Sequence, residues 1–349
     1  MQLIDDYNSL HQCPEPDRQL IKTLAYVKSR LAGLSCTLFS PAESALAAFF
    51  DFGKGETLAF RADMDAVMLP QGAVHACGHD GHTAILLAFA QWLHTKPETA
   101  YNVLLLFQPA EETNGGARDI CQSGVLTQYR VCGVFGLHLW PGLAAGEVFS
   151  KSGVLMGYAT QISVRFSGVS CHIAQPKRGK DALAAACRFY NRVESLHLGK
   201  GCLLKFGMLH GGTAPNVICG QAELSGSLRY IQSKTGSRLM RQLMGICKRA
   251  AYFTGCRGDI HFSEGYPAVE NHSRLFQRIQ DCYPVHTLQE PLMTADDFSC
   301  YQQAVPGVYF LLGVGNVPPL HSPDFSFDPF VLTKGVALFQ AICQKVRGL

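Results

Sequence analysis

Thr57-Leu58-Ala59-Phe60-Arg61, the segment Gly81 to Leu93, and Asn102-Val103-Leu104-Leu105-Leu106-Phe107 decide the fold between them. The first is a short apolar run ahead of an acidic turn. The second carries apolar residues at helical spacing, and the third is a continuous strand of the fully buried kind. A Gly115-Gly116 break, a short helix and another strand over Val131 to Leu137 follow. Strand, helix and strand in this order predict a mainly parallel sheet with helices on both faces.

The pattern changes between about Ala159 and Glu264. Gln161 to Phe166 alternates like a half-exposed strand, and Asp181 to Leu196 reads as an amphipathic helix. Strand-like runs at Leu203 to Leu209 and Ala222 to Tyr230 come next, then a helix over Lys234 to Tyr252 and a strand over Arg257 to Phe262. This β-α-β-β-α-β order is the split βαβ, or ferredoxin-like, pattern. The α/β pattern resumes with a strand at Val308 to Leu312 and a closing helix over Phe330 to Val346. The expected organisation is a discontinuous α/β domain, residues 1–158 and 265–349, with an inserted α+β lid domain at 159–264. An exposed strand edge on that lid offers a way for two copies to pair as a homodimer.

With 349 residues, 47% of them hydrophobic and 16% charged, the chain has material for large cores and too little charge for a disordered polymer. The net charge of +3 comes from scattered groups, so nucleic acid is not an implied partner. The start, Met1-Gln2-Leu3-Ile4-Asp5-Asp6, does not read as a secretion signal, and runs such as Ala84 to Ala90 are too short to cross a bilayer. Fourteen cysteines spread without paired spacing read as thiols in a reducing compartment. A soluble cytoplasmic protein with no membrane partner is expected.

The densest chemistry lies in His75-Ala76-Cys77-Gly78-His79-Asp80-Gly81-His82, where a thiol, imidazoles and a carboxylate precede a helix. Thiolate and imidazole suit borderline-soft divalent metals. A polar helix cap with chance histidines is the plainer reading. Gln108-Pro109-Ala110-Glu111-Glu112 follows the buried strand and puts two acids where open α/β sheets bind ligands. One acid can bind a metal while the other takes a proton from activated water; a solvated Glu-Glu surface pair is the alternative. His138, in Gly136-Leu137-His138-Leu139-Trp140, and His321, in Leu320-His321-Ser322-Pro323, are weaker signals singly. Together Cys77, His79, Glu112, His138 and His321 make five candidate ligands, more than one tetrahedral site needs.

In these motifs, and in Arg61-Ala62-Asp63-Met64-Asp65, the chain resembles the amidohydrolase branch of the co-catalytic, dinuclear metallopeptidases. That branch includes aminoacylases, hippurate hydrolases, auxin-conjugate hydrolases and N-acetyldiaminopimelate deacetylases. The resemblance covers nearly the whole length. It implies a zinc-peptidase-like catalytic domain and a pair of divalent cations, zinc, manganese, nickel or cobalt, held by Cys77, His79, Glu112, His138 and His321, with the Cys77 sulfur shared. It also implies Glu111 as general base and acid, and Asp65 as a carboxylate that orients a ligand. Gly168-Val169-Ser170-Cys171-His172, Gly211 to Val217 and Gly226-Ser227-Leu228-Arg229 resemble lid motifs. By that likeness His172 stabilises an oxyanion, and Asn216 and Arg229 bind the polar end of the substrate; a turn cap and a surface ion pair are the plainer roles for the latter two. The implied activity is hydrolysis of the amide bond of an N-acyl amino acid. A dipeptidase or carboxypeptidase using the same site, and a non-catalytic metal-binding scaffold, remain as alternatives.

Two departures bear on substrate. The stretch between Asp65 and His75 is shorter than the resemblance leads one to expect, so a mouth loop is trimmed. Asp296-Asp297-Phe298 stands where relatives tend to show Glu-Asp-Phe, so a shorter acid is expected in the pocket wall.

Overall fold

The computed structural model describes residues 2–113 and 115–348. They form two compact units, one of Met1–Leu155, Val269–Glu290 and Asp296–Leu349, the other of Met156–Ala268 and Pro291–Ala295. The second unit thus starts and ends a few residues outside the 159–264 expected for the insertion and takes in a short distant segment.

The first unit is built on an eight-stranded sheet of β1 (Thr37–Phe39), β2 (Leu46–Phe50), β3 (Thr57–Asp63), β6 (Asn102–Gln108), β7 (Val131–Trp140), β8 (Val148–Ser150), β17 (His286–Thr287) and β18 (Gly307–Gly313). Between β3 and β6, the segment after Asp65 forms a tight hairpin of β4 (Val67–Leu69) and β5 (Gly72–Val74), with Met68 exposed at its surface. Short strands β9 (Gly153–Met156) and β16 (Val269–Asn271) lie outside the main sheet.

Strand order is β1-β2-β6-β3-β7-β18-β8-β17. The central four, β6, β3, β7 and β18, are parallel, with Phe60 opposite both Leu105 and Phe135 and Phe310 opposite Leu137. Antiparallel pairs occur only toward the edges, at β1 with β2, β2 with β6 and β18 with β8. The chain turns back from β1 to β2 through a short loop, which permits an antiparallel pair, whereas parallel neighbours need a longer crossover. Every residue of β3, β6 and β18 is buried, as expected for strands covered on both faces.

The helices of this unit are α1 (Gln2–His11), α2 (Ile21–Leu31), α3 (His79–His94), α4 (Gly116–Gln122), α5 (Val125–Gln128), α8 (Ser273–Gln280), α9 (Ser299–Ala304) and α10 (Leu332–Lys345). α3 is apolar almost all round because it packs against α1, α2, α10 and the sheet at once. Phe60 anchors the layer, its ring against Phe89 of α3, Phe339 of α10 and Phe135 of β7.

The second unit has β10 (Tyr158–Ser167), β11 (Cys171–His172), α6 (Ala182–Glu194), β12 (Cys202–Gly211), β13 (Val217–Ile218), β14 (Gln221–Tyr230), α7 (Ser233–Thr254) and β15 (Arg257–Phe262). Its four-stranded sheet has the order β12-β14-β10-β15 with antiparallel neighbours, the split βαβ arrangement. Ile162, Val164 and Phe166 alternate inward from β10 and pack with Phe189 of α6 and Leu243 of α7. Asp181 caps α6 by accepting from the Ala184 N–H at 3.0 Å, and Gly255, in the left-handed region, stops α7. Among the described residues no helix is long and apolar enough to cross a membrane.

α1 is tied to α3 by His11 Nδ1, which lies 2.6 Å from Asp80 Oδ2. The hydrogen bond to Asp80 raises the His11 imidazole above its ordinary value, although partial burial works the other way. A raised folded-state pKa means this tie is fully present below about pH 6.5 and is lost as pH rises through the folded value. Amide exchange, corrected for its intrinsic rate, is expected to show α1 losing protection relative to α2 as pH rises from about 6.5 through the raised His11 value. His11→Ala should abolish that trend; a trend that persists in the variant would exclude this tie as its cause.

Candidate metal centre

Four crossovers converge at the carboxyl ends of the central strands. The chain leaves β3 through Asp65, enters α3 at His79, leaves β6 into Pro109-Ala110-Glu111-Glu112, and brings in His138 from within β7. His321 arrives on the loop between β18 and α10. His79 is the first residue of α3 and His138 lies inside β7, so both sit on rigid elements. Three positions have left-handed backbone, Gly78 (φ 87°), Ala110 (φ 59°) and His321 (φ 66°), each at or beside one of these side chains. For Ala110 and His321 that conformation carries strain, which packed surroundings must hold in place. The His321 N–H donates to the Ala76 carbonyl at 2.8 Å and locks one loop to the next.

The donor atoms are close. Cys77 Sγ lies 3.5 Å from His138 Nε2 and 3.4 Å from His321 Nε2. Glu112 Oε1 is 3.2 Å from His321 Nε2 and 3.7 Å from His79 Nε2, and Glu111 Oε2 is 4.0 Å from His79 Nε2. Cys77, His79 and His138 form one compact group of ligand atoms; Cys77, Glu112 and His321 form another that shares the sulfur.

Backbone carbonyls set which nitrogen faces inward. His79 Nδ1 is 2.8 Å from the Asp65 carbonyl and His138 Nδ1 is 2.7 Å from the Leu139 carbonyl. A carbonyl only accepts, so both Nδ1 atoms carry the proton and both Nε2 lone pairs face the cluster. Asp65 does more: its carboxylate accepts from the N–H groups of Glu111 and Glu112 at 3.0 and 3.1 Å. One residue thereby orients His79 and fixes the Glu111-Glu112 turn.

The group Asp63, His79 and His82 is also compact, but Asp63 and His82 are already engaged. His82 Nδ1 pairs with Asp63 Oδ1 at 2.6 Å, and His82 Nε2 accepts the Leu139 N–H at 2.9 Å. Burial, only partly offset by Asp63, holds the His82 imidazole low and neutral. His82 is therefore a structural acceptor. By contrast, His79 Nε2 and Glu112 Oε1 are buried without a hydrogen-bond partner, a costly state for polar atoms.

These orphaned atoms, with a thiol between imidazoles, fit divalent metal. Separations near 3.5 Å are what tetrahedral bonds of about 2.0–2.3 Å to N and S ligands produce. Electrostatics agree. Burial, with Asp296, Glu112 and Asp297 nearby, pushes the Glu111 carboxyl well above the usual range. Burial also drives the Cys77 thiol up and takes His138 down to about 3. Glu112 is held down to about 2 against its burial by His321 and His79. Divalent charge would relieve the crowding of carboxylates and deprotonate the thiol.

Behind the cluster stands a fully buried ionic network that the sequence reading passed over. Arg61 Nη1 donates to Asp63 at 2.6 Å, Nη2 to Asp297 at 2.7 Å, and Nε to Gln108 Oε1 at 2.9 Å. Asp297 also accepts from Gln108 Nε2 and the Ala117 N–H, and Asp296 accepts from the Tyr309 hydroxyl and the Phe298 N–H. Asp296 and Asp297 are thus buried and hydrogen-bonded inward, not residues of an open pocket wall, although both carboxylates approach Glu111. The available signal was a lone arginine ending an apolar strand run, followed by Asp63 and Asp65.

The sequence profile of peptidase family M20/M25/M40 matches residues 59–345, which take in the donor cluster, the Arg61 network and the whole second unit. The chain belongs to this family. Among its M20 relatives is the N-acetyldiaminopimelate deacetylase of Streptococcus sanguinis, 31% identical over 357 residues that cover 93% of this chain and 94% of that protein. The YxeP protein of Bacillus subtilis, a dinuclear metal-binding M20 peptidase, superposes with a TM-score of 0.84 at 26% identity, covering 99% of this chain and 98% of its own. The aminobenzoyl-glutamate utilization protein of Klebsiella pneumoniae shares the fold, with a TM-score of 0.76 at 20% identity and 99% and 97% coverage. As an M20 protein the chain is a metal-dependent hydrolase.

The second unit holds the other three residues singled out in the sequence. His172 is exposed on β11, and its Nδ1 accepts the Ala174 N–H at 3.2 Å. Asn216 is exposed in the turn before β13, where its carbonyl accepts from Ile173. Arg229 of β14 donates to the Met293 carbonyl at 3.3 Å.

Removing one partner from a buried ion network leaves the others uncompensated. Arg61→Met should lower unfolding free energy by about 3–5 kcal/mol in urea titrations. A loss within experimental error of zero would show that Asp63, Asp296 and Asp297 do not depend on it.

Proposed function

We propose that this M20 hydrolase cleaves the amide bond of N-acyl amino acids, with Glu111 as the proton carrier and Cys77, His79, Glu112, His138 and His321 holding a pair of divalent cations. The observation that carries the reading is the division between the two adjacent glutamates. Glu112 is drawn to His321 and His79 within the donor cluster, while Glu111, on the same turn, stands beside the cluster with its carboxyl destabilised as an anion. The resemblance to an N-acetyldiaminopimelate deacetylase supports an acylated amino acid as substrate.

When bound, the cations would polarise the amide carbonyl and acidify the attacking water. The protein's own groups do the rest. Asp65 fixes the turn so that Glu111 can accept the proton of that water and return it to the departing amine nitrogen. Cys77, between His138 and His321, is the donor common to both groups. His172, whose Nδ1 is occupied as an acceptor, has Nε2–H as a donor suited to an oxyanion. Arg229 and Asn216 supply polar groups for the substrate carboxylate, and a guanidinium matches that geometry. Zinc, manganese, cobalt and nickel all suit such a donor set, and a thiol ligand needs a reducing compartment such as the cytoplasm.

Glu111→Gln should retain bound metal and lose hydrolysis of N-acetyl amino acids by roughly 10²–10⁴-fold, the usual worth of a positioned acid-base. Metal content by elemental analysis separates this from collapse of the site. Near-normal turnover in the variant would remove Glu111 from its role. Chelation should abolish activity and added divalent metal restore it. A panel of N-acetyl and N-benzoyl amino acids run beside dipeptides distinguishes deacylation from peptidase action, and faster cleavage of dipeptides would overturn the substrate assignment.

A further inference from the structure

The second unit carries a cleft that the amide chemistry does not use. α6 presents Arg188, Asn191 and Arg192 along one face, and α7 presents Ile246, Arg249 and Phe253. Both sets recur at three- and four-residue spacing, so the two helical stripes face each other across a cavity of about 490 Å³. Its floor is apolar, with Ile246 buried, and one wall is the ring of Phe253, 70% exposed.

Charge is unbalanced here. α7 bears Lys234, Arg238, Arg241, Lys248 and Arg249 without one acid. The single acid on α6, Glu194, is taken up by Lys205 Nζ at 2.7 Å. Arg192 reaches only the hydroxyl of Ser195 at 3.3 Å. Three guanidinium groups therefore line one cleft with no carboxylate among its lining residues, where like charges repel. An inter-helix crevice needing only closure would be filled by apolar side chains. This one instead combines guanidinium groups with an aromatic wall, and its volume falls in the range of about 300–1,000 Å³ typical of small-molecule sites.

We propose that the α6–α7 cleft is a binding site for a small organic anion, a phosphate or carboxylate carried on a compact apolar body. The guanidinium groups pair with the oxygens in the forked geometry that favours arginine over lysine, and the apolar body lies against Ile246 and Phe253. The site is independent of the amide hydrolysis assigned above, since none of its residues belongs to that machinery.

The test uses the full chain loaded with metal and phenyl phosphate as probe, followed by titration calorimetry. Saturable binding is expected, weaker with inorganic phosphate and absent with benzyl alcohol. Arg249→Ala should weaken it about tenfold, Arg188→Ala/Arg249→Ala should eliminate it, and Arg249→Lys should restore part of it. Hydrolysis of N-acetyl amino acids should be unchanged in all three variants, which also reports that they fold. Vesicles of phosphatidylcholine with and without phosphatidylglycerol distinguish the source of the anion. Sedimentation only with the anionic vesicles, lost in the double variant, identifies a lipid headgroup; binding of phenyl phosphate without sedimentation identifies a free metabolite, and either upholds the site. Absence of saturable binding, or binding that survives the double substitution, overturns it.

Discussion

A single buried cation organises the catalytic unit. Arg61 has no exposed surface, and its guanidinium is shared among Asp63 at the end of β3, Gln108 at the end of β6 and Asp297 ahead of α9. Taking such a charge out of water is unfavourable unless its donors are met, and here they meet Asp63, Gln108, Asp297 and the Tyr309 hydroxyl. Because the partners lie at the ends of adjacent strands and on a distant loop, satisfying Arg61 fixes their mutual positions. Asp63 then holds His82, which receives the Leu139 N–H beside His138. The donor cluster is thus built outward from a charge buried behind it.

A second layer of control comes from the main chain. His79 and His138 each spend one ring nitrogen on a carbonyl, and Asp65 spends both carboxylate oxygens on amides. These bonds leave Nε2 of both imidazoles free and aimed into the cluster, so that little reorganisation would accompany binding of a metal there. Left-handed backbone at Ala110 and His321 belongs to the same design, with local strain maintained by the surrounding packing.

Much of this was legible in the sequence, for a physical reason. β3, β6 and β18 are buried on both faces, and the inserted strands alternate, so periodicity reports them directly. The cluster residues stood out because thiol, imidazole and adjacent carboxylates rarely gather ahead of a buried helix. What escaped was whatever depends on tertiary context. α1 and α2 mix polar and apolar residues, and α2 shows no side-chain cap. Arg61, Gln108, Tyr301 and Tyr309 acquire meaning only when residues 193 and 248 positions apart meet. The inward turn of Asp296 and Asp297 could not be read either, since an acidic pair is normally solvated.

The insertion also has a temporal side. In the order of synthesis Cys77, His79, Glu112 and His138 emerge early, whereas His321 follows the whole second unit and β18. At about 5–20 residues per second the ribosome needs on the order of ten to forty seconds to travel from His138 to His321. Over that interval the nascent chain holds four of its five proposed donors, and β7 lacks the neighbour strand that will cover its flank. Assembly of the centre therefore waits on a segment made only after the second unit and β18.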